Sequence, residues 1–341
     1  MSRSALLVAL AASLFAAPVW ALDSVKKLSG PTVSGTIKTV TKNDVDIEKT
    51  AGGVEKVPVT DVEYVRYDGE PVQLSGVRAQ TANGSYDTAL RQIAAIPAAS
   101  LTKPEVQQEV QFFKAYCTAR LALTGAGDVA AAGKGLNDWL AKNANSYHFY
   151  PATELVGDLL VKAGNYEPAA TYYAQLEQAV APELKMRAGM GIGRSLLAQK
   201  KYPEAQTSFD KVLTLANSNK GAQADQQRFA ATLGKAQCVA ETGSPDDAIK
   251  SIEEVIKGVS PENADLMAQA YVTLGKSYLK KPDAKKQALL AFLHVDTLYA
   301  ANATAHAEAL KQLDPLWRDL GKPERALQAV QLLQQKYGGS N

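Results

Sequence analysis

The chain has 341 residues, 46% apolar and 21% charged, a composition that supports a buried core and excludes disorder over most of the length. Its 37 basic and 35 acidic residues leave a net charge of +2, too little to build the field that nucleic-acid or anionic-membrane binding needs. With only Cys117 and Cys238, a disulfide framework, a zinc site and a thioredoxin-like pair are also excluded.

The chain opens with MSRSALLVALAASLFAAPVWALDS, in which Arg3 precedes an apolar run from Ala5 to Ala17 and Val19-Trp20-Ala21 follows. This layout predicts a secretory signal peptide over residues 1–21, cleaved after Ala21. No later run approaches membrane length, so the product is expected to be exported, periplasmic or secreted, with no membrane span after cleavage.

From Thr32 the pattern changes. Val33, Gly35, Ile37 and Thr39, then Val45 and Ile47, then Val57 and Val59 alternate with polar residues, which predicts short strands buried on one face. The stretches TKND and TAGG supply tight turns, because Asn, Asp and Gly tolerate the backbone such turns require. Pro58 cannot donate to a ladder, so its strand belongs at an edge. Four or five strands in about 40 residues make a small antiparallel barrel or curled sheet that buries little by itself, and docking on the helices that follow is expected.

Beyond residue 70 the sequence is rich in Ala, Leu and Gln, all good helix formers. Five segments repeat one punctuation: GSYDTA from Gly84, GNYEPA from Gly164, KKYPEA from Lys200, GSPDDA from Gly243 and GKPERA from Gly321. The first residue ends a helix in a left-handed cap, the acid favours the next helix N-terminus, and the alanine leaves room for close packing. Weaker copies lie at Gly127 and before Ala288. Alanines 89, 132, 169, 205, 248, 288 and 326 then step by 43, 37, 36, 43, 40 and 38 residues, the period of stacked helical hairpins.

These residues resemble the tetratricopeptide repeat. The resemblance places small residues on the first helix of a hairpin (Gly157, Gly193, Ala236) and large ones four positions after the alanine (Tyr173, Phe209, Ile252, Val330). LVGDLL at Leu155 and LGKSYL at Leu274 are similar to the family's first-helix signature. Most steps exceed the roughly 34 residues usual for the family, and repeats two and six depart from a simple register. The N-terminal strands are similar to SH3-like or Sm-like small barrels. The expected organisation is a signal peptide (1–21), a small β domain (22–70) and a tetratricopeptide-like α-solenoid of about seven hairpins (71–341).

The chain offers no catalytic constellation. His148, His294 and His306 lack metal-ligand spacing. GMGIGRS at Gly189 follows no strand, as a dinucleotide loop must, and GAGDVAAAGKG at Gly125 lacks the Ser or Thr of a phosphate loop. No cofactor is expected. The resemblance instead implies a groove lined by first helices, here with Glu154, Asp158, Lys162, Arg187, Met190, Arg194 and Lys276. The family's paired Lys and Asn for chaperone tails are not reproduced. The expected role is a non-catalytic scaffold or adaptor for protein partners in the bacterial cell envelope. The alternatives are a module binding peptidoglycan or polysaccharide, and an accessory subunit of an envelope enzyme.

Overall fold

The computed structural model describes residues 22–338; the expected signal peptide lies outside them. Strands β1 (Asp23–Lys27), β2 (Val33–Val40), β3 (Asp44–Lys49), β4 (Val54–Pro58) and β5 (Val62–Arg66) form one antiparallel sheet in the order β4-β3-β2-β1-β5. Alternate residues Val25, Val33, Val45, Ile47, Val57 and Val65 are buried. Pro58 ends the edge strand β4, and Val59 opens a short 3-10 turn (Val59–Asp61) instead of extending it. At Gly35 the strands approach so closely that an added Cβ would sit 1.9 Å from the Glu48 carbonyl oxygen. Five antiparallel strands in one sheet, with β4 and β5 at its ends among the described residues, agree with the small antiparallel barrel or curled sheet expected from the pattern.

Fourteen helices follow among the described residues: α1 (Gln73–Ala82), α2 (Tyr86–Ala94), α3 (Pro104–Thr124), α4 (Val129–Lys142), α5 (Phe149–Lys162), α6 (Tyr166–Glu177), α7 (Pro182–Ala198), α8 (Tyr202–Ser218), α9 (Ala222–Glu241), α10 (Pro245–Gly258), α11 (Ala264–Leu279), α12 (Lys285–Leu298), α13 (Ala303–Asp319) and α14 (Pro323–Tyr337). They pair in sequence as seven hairpins. In six turns the residue after the left-handed one donates its N–H back to the helix: Ser85 to Gln80 (2.9 Å), Ala126 to Leu121 (3.0 Å), Asn165 to Leu160 (2.8 Å), Lys201 to Leu196 (2.9 Å), Ser244 to Val239 (3.1 Å) and Lys322 to Trp317 (2.8 Å). This bond satisfies a carbonyl the helix end would otherwise orphan. Lys200 takes the left-handed conformation, φ +59°, without being glycine. In the second hairpin the left-handed residue is Gly125, not Gly127 as the spacing suggests, and Asp128 caps α4 by accepting from the Ala130 and Ala131 N–H groups.

All seven alanines of the repeat are buried, at 2% exposure or less. Beside them, Tyr173, Phe209 and Phe292 are fully buried against glycines. An added Cβ would fall 2.7 Å from Tyr173 at Gly157 and 2.3 Å at Gly191, 2.5 Å from Phe209 at Gly193 and at Gly234, and 2.6 Å from Phe292 at Gly275. Tyr173 and Phe209 thus each insert between the first helix of their own hairpin and that of the next. The three glycines of GMGIGRS are packing positions within α7, since Gly189 likewise abuts Val212.

The first helices do not form an open arc. Each of α3, α5, α7, α9, α11 and α13 touches the next, and α13 returns to α3. Gly125, the cap of α3, lies against Tyr337 at the end of α14, while the Tyr337 hydroxyl is 2.7 Å from His306 Nδ1 near the start of α13. The C-terminal end of α3 therefore meets the opening end of α13. The six inner helices thus come round until α13 meets α3.

The sheet is fastened to this ring by buried polar groups. Arg78 on α1 donates to both Glu70 oxygens (2.6 and 2.7 Å) and to the Val65 carbonyl (2.8 Å). Glu109 on α3, 2% exposed, accepts from the Tyr147 hydroxyl (2.9 Å) and lies 2.9 Å from His148 Nε2. Burial opposes the Arg78 charge, but the Glu70 bonds and nearby Glu109 outweigh it and hold its pKa above the ordinary value. Further along the ring, Tyr150 on α5 donates to Asn43, Val59 packs among Tyr150, Leu176 and Leu184, and Gln223 on α9 donates to the Thr60 carbonyl.

Candidate protein-interaction surface

Four of the seven residues singled out in the sequence come together on the inner wall. Glu154 and Asp158 lie one turn apart on α5, Arg187 and Arg194 two turns apart on α7, a spacing that puts each pair on one helix face. Arg187 Nε donates to Glu154 Oε2 (2.7 Å), and Arg194 Nη2 donates to Asp158 Oδ1 (2.9 Å) and lies 3.8 Å from Glu154 Oε1. The Tyr173 hydroxyl donates to the same Asp158 oxygen (2.8 Å). Burial, and then the Asp158 charge, push the Tyr173 phenol well above its usual range, so it acts as a neutral donor. The cluster is partly open to solvent, the Arg194 side chain being 43% exposed.

Lys276 on α11 is held separately, 2.7 Å from Glu308 on α13, which also accepts from Gln312. Burial would raise the Glu308 pKa, but Lys276, Gln312 and Lys311 together lower it. Lys162 stands exposed in the last turn of α5, outside both networks. Met190 is 7% exposed and packs with Met186, Phe209 and Val212 in the core, so it presents little surface to a partner.

The sequence reading missed the α3 contribution. The Arg120 guanidinium lies over the rings of Tyr86 (5.5 Å) and Tyr116 (5.8 Å), and its Nε donates to the Tyr86 hydroxyl (3.0 Å). Burial works against its charge, yet Tyr116, Tyr86 and Asp158 outweigh that and hold its pKa above the ordinary value. Counting twelve back from the repeat alanine, which gives Gly157 from Ala169 and Gly193 from Ala205, gives Arg120 from Ala132. Because Gly125 lies seven residues before Ala132 instead of the five seen in the regular turns, that count lands on the wrong face of α3. The aromatic pair Tyr86 and Tyr116, edge to face at 6.4 Å, was the available signal.

The histidines serve packing. His148 stacks on Phe112 (3.6 Å) and His294 on Tyr271 (4.6 Å), while His306 is fully buried between Asp296 and Tyr337. Among the described residues, no group of three or more His, Cys, Asp or Glu side chains is placed to hold a metal ion, and no helix is long and apolar enough to cross a membrane.

Comparison with known proteins bears on the fold. A tetratricopeptide repeat family model matches residues 157–222 and 190–264. No curated protein matches the chain significantly. The crystal structure of a Rap protein complexed with competence and sporulation factor superposes with a TM-score of 0.57 at 15% identity, covering 77% of this chain and 73% of that one. A tetratricopeptide repeat protein from Parabacteroides merdae gives 0.50 at 20% identity, covering 71% and 82%. Hairpins three to five therefore carry tetratricopeptide-repeat sequence, and the helical part of the chain is folded as a tetratricopeptide-like solenoid.

Proposed function

We propose that this protein is a non-catalytic scaffold or adaptor that holds a protein partner against the inner wall of its helical ring, in the bacterial cell envelope after removal of residues 1–21. The observation that carries this reading is the Glu154–Arg187–Arg194–Asp158 network with Arg120 beside it. Five charged side chains from three helices converge on one partly solvated wall, an arrangement a folding core does not need and a polar partner surface can match. The Rap protein neighbour, solved with competence and sporulation factor, supports the idea that such an array can accommodate another molecule. The near-neutral charge of the chain favours a protein partner over nucleic acid.

Affinity capture from an envelope extract tests this. The chain lacking residues 1–21 should retain one or a few proteins that the Arg187→Ala/Arg194→Ala variant loses, with equal thermal melting for the two baits. Capture of the same proteins by both baits would remove the inner wall as the binding surface.

A further inference from the structure

Among the described residues, every arginine forms an ion pair with a carboxylate except Arg120 and Arg325. Arg325 is exposed on α14, its guanidinium over the Trp317 ring, whereas Arg120 is half-buried on the inner wall. A partly desolvated cation costs free energy unless an anion answers it. Nothing within the chain pairs with this one.

Two tyrosines hold Arg120 in place without neutralising it. The guanidinium lies over the Tyr86 and Tyr116 rings at 5.5 and 5.8 Å, a favourable contact for a flat cation, and its Nε donates to the Tyr86 hydroxyl (3.0 Å). That bond uses one of the five N–H groups a guanidinium carries. Neither terminal nitrogen of Arg120 makes a hydrogen bond among the described residues, and neither does the Tyr116 hydroxyl. The Tyr86 hydroxyl, accepting from Nε, keeps its own hydrogen to give. Burial raises the Tyr116 pKa, so this hydroxyl stays protonated as well. The place therefore offers donors only.

The charges around it are unbalanced. Arg120 follows the buried Ala119 as Asp158 follows Gly157 and Arg194 follows Gly193, which sets it in the same row of the wall, near enough for the Asp158 charge to act on it. Arg187 and Arg194 are answered by Glu154 and Asp158. Of these five charges, Arg120 is the one in surplus.

We propose that Arg120, Tyr86 and Tyr116 form a subsite for one carboxylate of the bound partner, that of an Asp or Glu side chain. An ionised carboxylate only accepts hydrogen bonds, and a planar guanidinium meets it with two parallel N–H groups, so an all-donor place with one surplus cation matches it in both charge and bonding. A dianionic phosphate would face Glu154 and Asp158 with a single surplus cation, and a neutral amide would leave the charge unanswered. The wall runs on from α3 to α5 and α7 on one side and to α13 on the other, so a segment lying along it meets Arg120 with a side chain and not with its end. The subsite rests on the reading of the inner wall as the partner surface, and it adds the chemistry by which that wall selects.

The probe is an acetylated and amidated Ala-Ala-Glu-Ala-Ala peptide, titrated at fixed ionic strength into the chain lacking residues 1–21. Arginine Nε–H signals are followed by proton–nitrogen correlation NMR, the Arg120 signal being identified by its loss in Arg120→Gln. That signal should move to saturation, with a midpoint at least about tenfold lower than for the glutamine counterpart, the ratio that about 1.4 kcal/mol from a charged hydrogen bond produces. Arg325→Gln, which removes the same charge elsewhere, should leave the titration unchanged. Equal midpoints for the two peptides, or no movement of the Arg120 signal, would overturn the subsite. Tighter binding of a glutamine peptide with a free C-terminus would overturn it too, assigning the place to a chain end. Proteins captured from the envelope extract without this shift would retain the inner-wall reading and remove the subsite, and the shift without captured proteins would uphold the subsite and remove the envelope partner.

Discussion

At the scale of single residues, the fold depends on where glycine is required and where it is not. At Gly191 an added Cβ would sit 2.3 Å from the Tyr173 ring, whereas at Gly133 within α4 nothing lies within 4 Å. Gly191→Ala should therefore lose about 1–3 kcal/mol by overpacking, and Gly133→Ala should gain about 0.5–1 kcal/mol from helix propensity alone; denaturant unfolding of the two variants should move in opposite directions. Lys200 is the converse case, a side chain held at φ +59°. Lys200→Gly should raise stability by about 1 kcal/mol by removing the left-handed strain. For Glu308, whose folded pKa is lowered from its ordinary 4.5, the stabilisation is present above that value and lost as pH falls through the folded value. Lys276→Met should accordingly melt earlier than the parent at pH 7, with the gap closing below about pH 4.5.

At the scale of elements, the hairpins were legible because one short turn needs the same chemistry each time. The left-handed cap, the Tyr or Pro that starts the second helix and the buried alanine all leave sequence marks, and even Lys200 could be placed by its neighbours. The second hairpin was misread because its turn holds two more residues, so the count puts Arg120 where a small packing residue is expected. The sheet was legible as strands, but its attachment was not. Arg78, Glu70, Glu109 and Tyr147 are scattered over 78 residues, and nothing local marks them as partners. Arg78→Leu should leave both carboxylates buried without their cation, a loss of about 3–5 kcal/mol. The sheet should then become sensitive to proteolysis before the helices, as limited digestion followed by mass spectrometry would reveal. Ala205, fully buried, tests the repeat itself: Ala205→Arg should cost about 1–3 kcal/mol or more by forcing apart α7 and α8.

At the scale of the whole molecule, the sequence implies a curved stack but not how far it curls. Curvature accumulates from small rotations at every hairpin joint, and no single residue records the sum. The structure supplies that sum: six inner helices come round until α13 meets α3, turning a groove into an enclosed wall. The functional reading depends on this closure. Disulfide trapping tests it most directly. Gly125→Cys and Gly338→Cys, introduced into the Cys117→Ala/Cys238→Ala background, lie more than 200 residues apart in sequence, but the ring sets Gly125 against the Tyr337 carbonyl, next to Gly338, whereas a disulfide needs Cα atoms within roughly 7 Å. Mild oxidation should convert nearly all of the monomer to an internally crosslinked form that migrates faster on a non-reducing denaturing gel. A chain that stays uncrosslinked, or crosslinks only between molecules, would mean that the hairpins form an open arc.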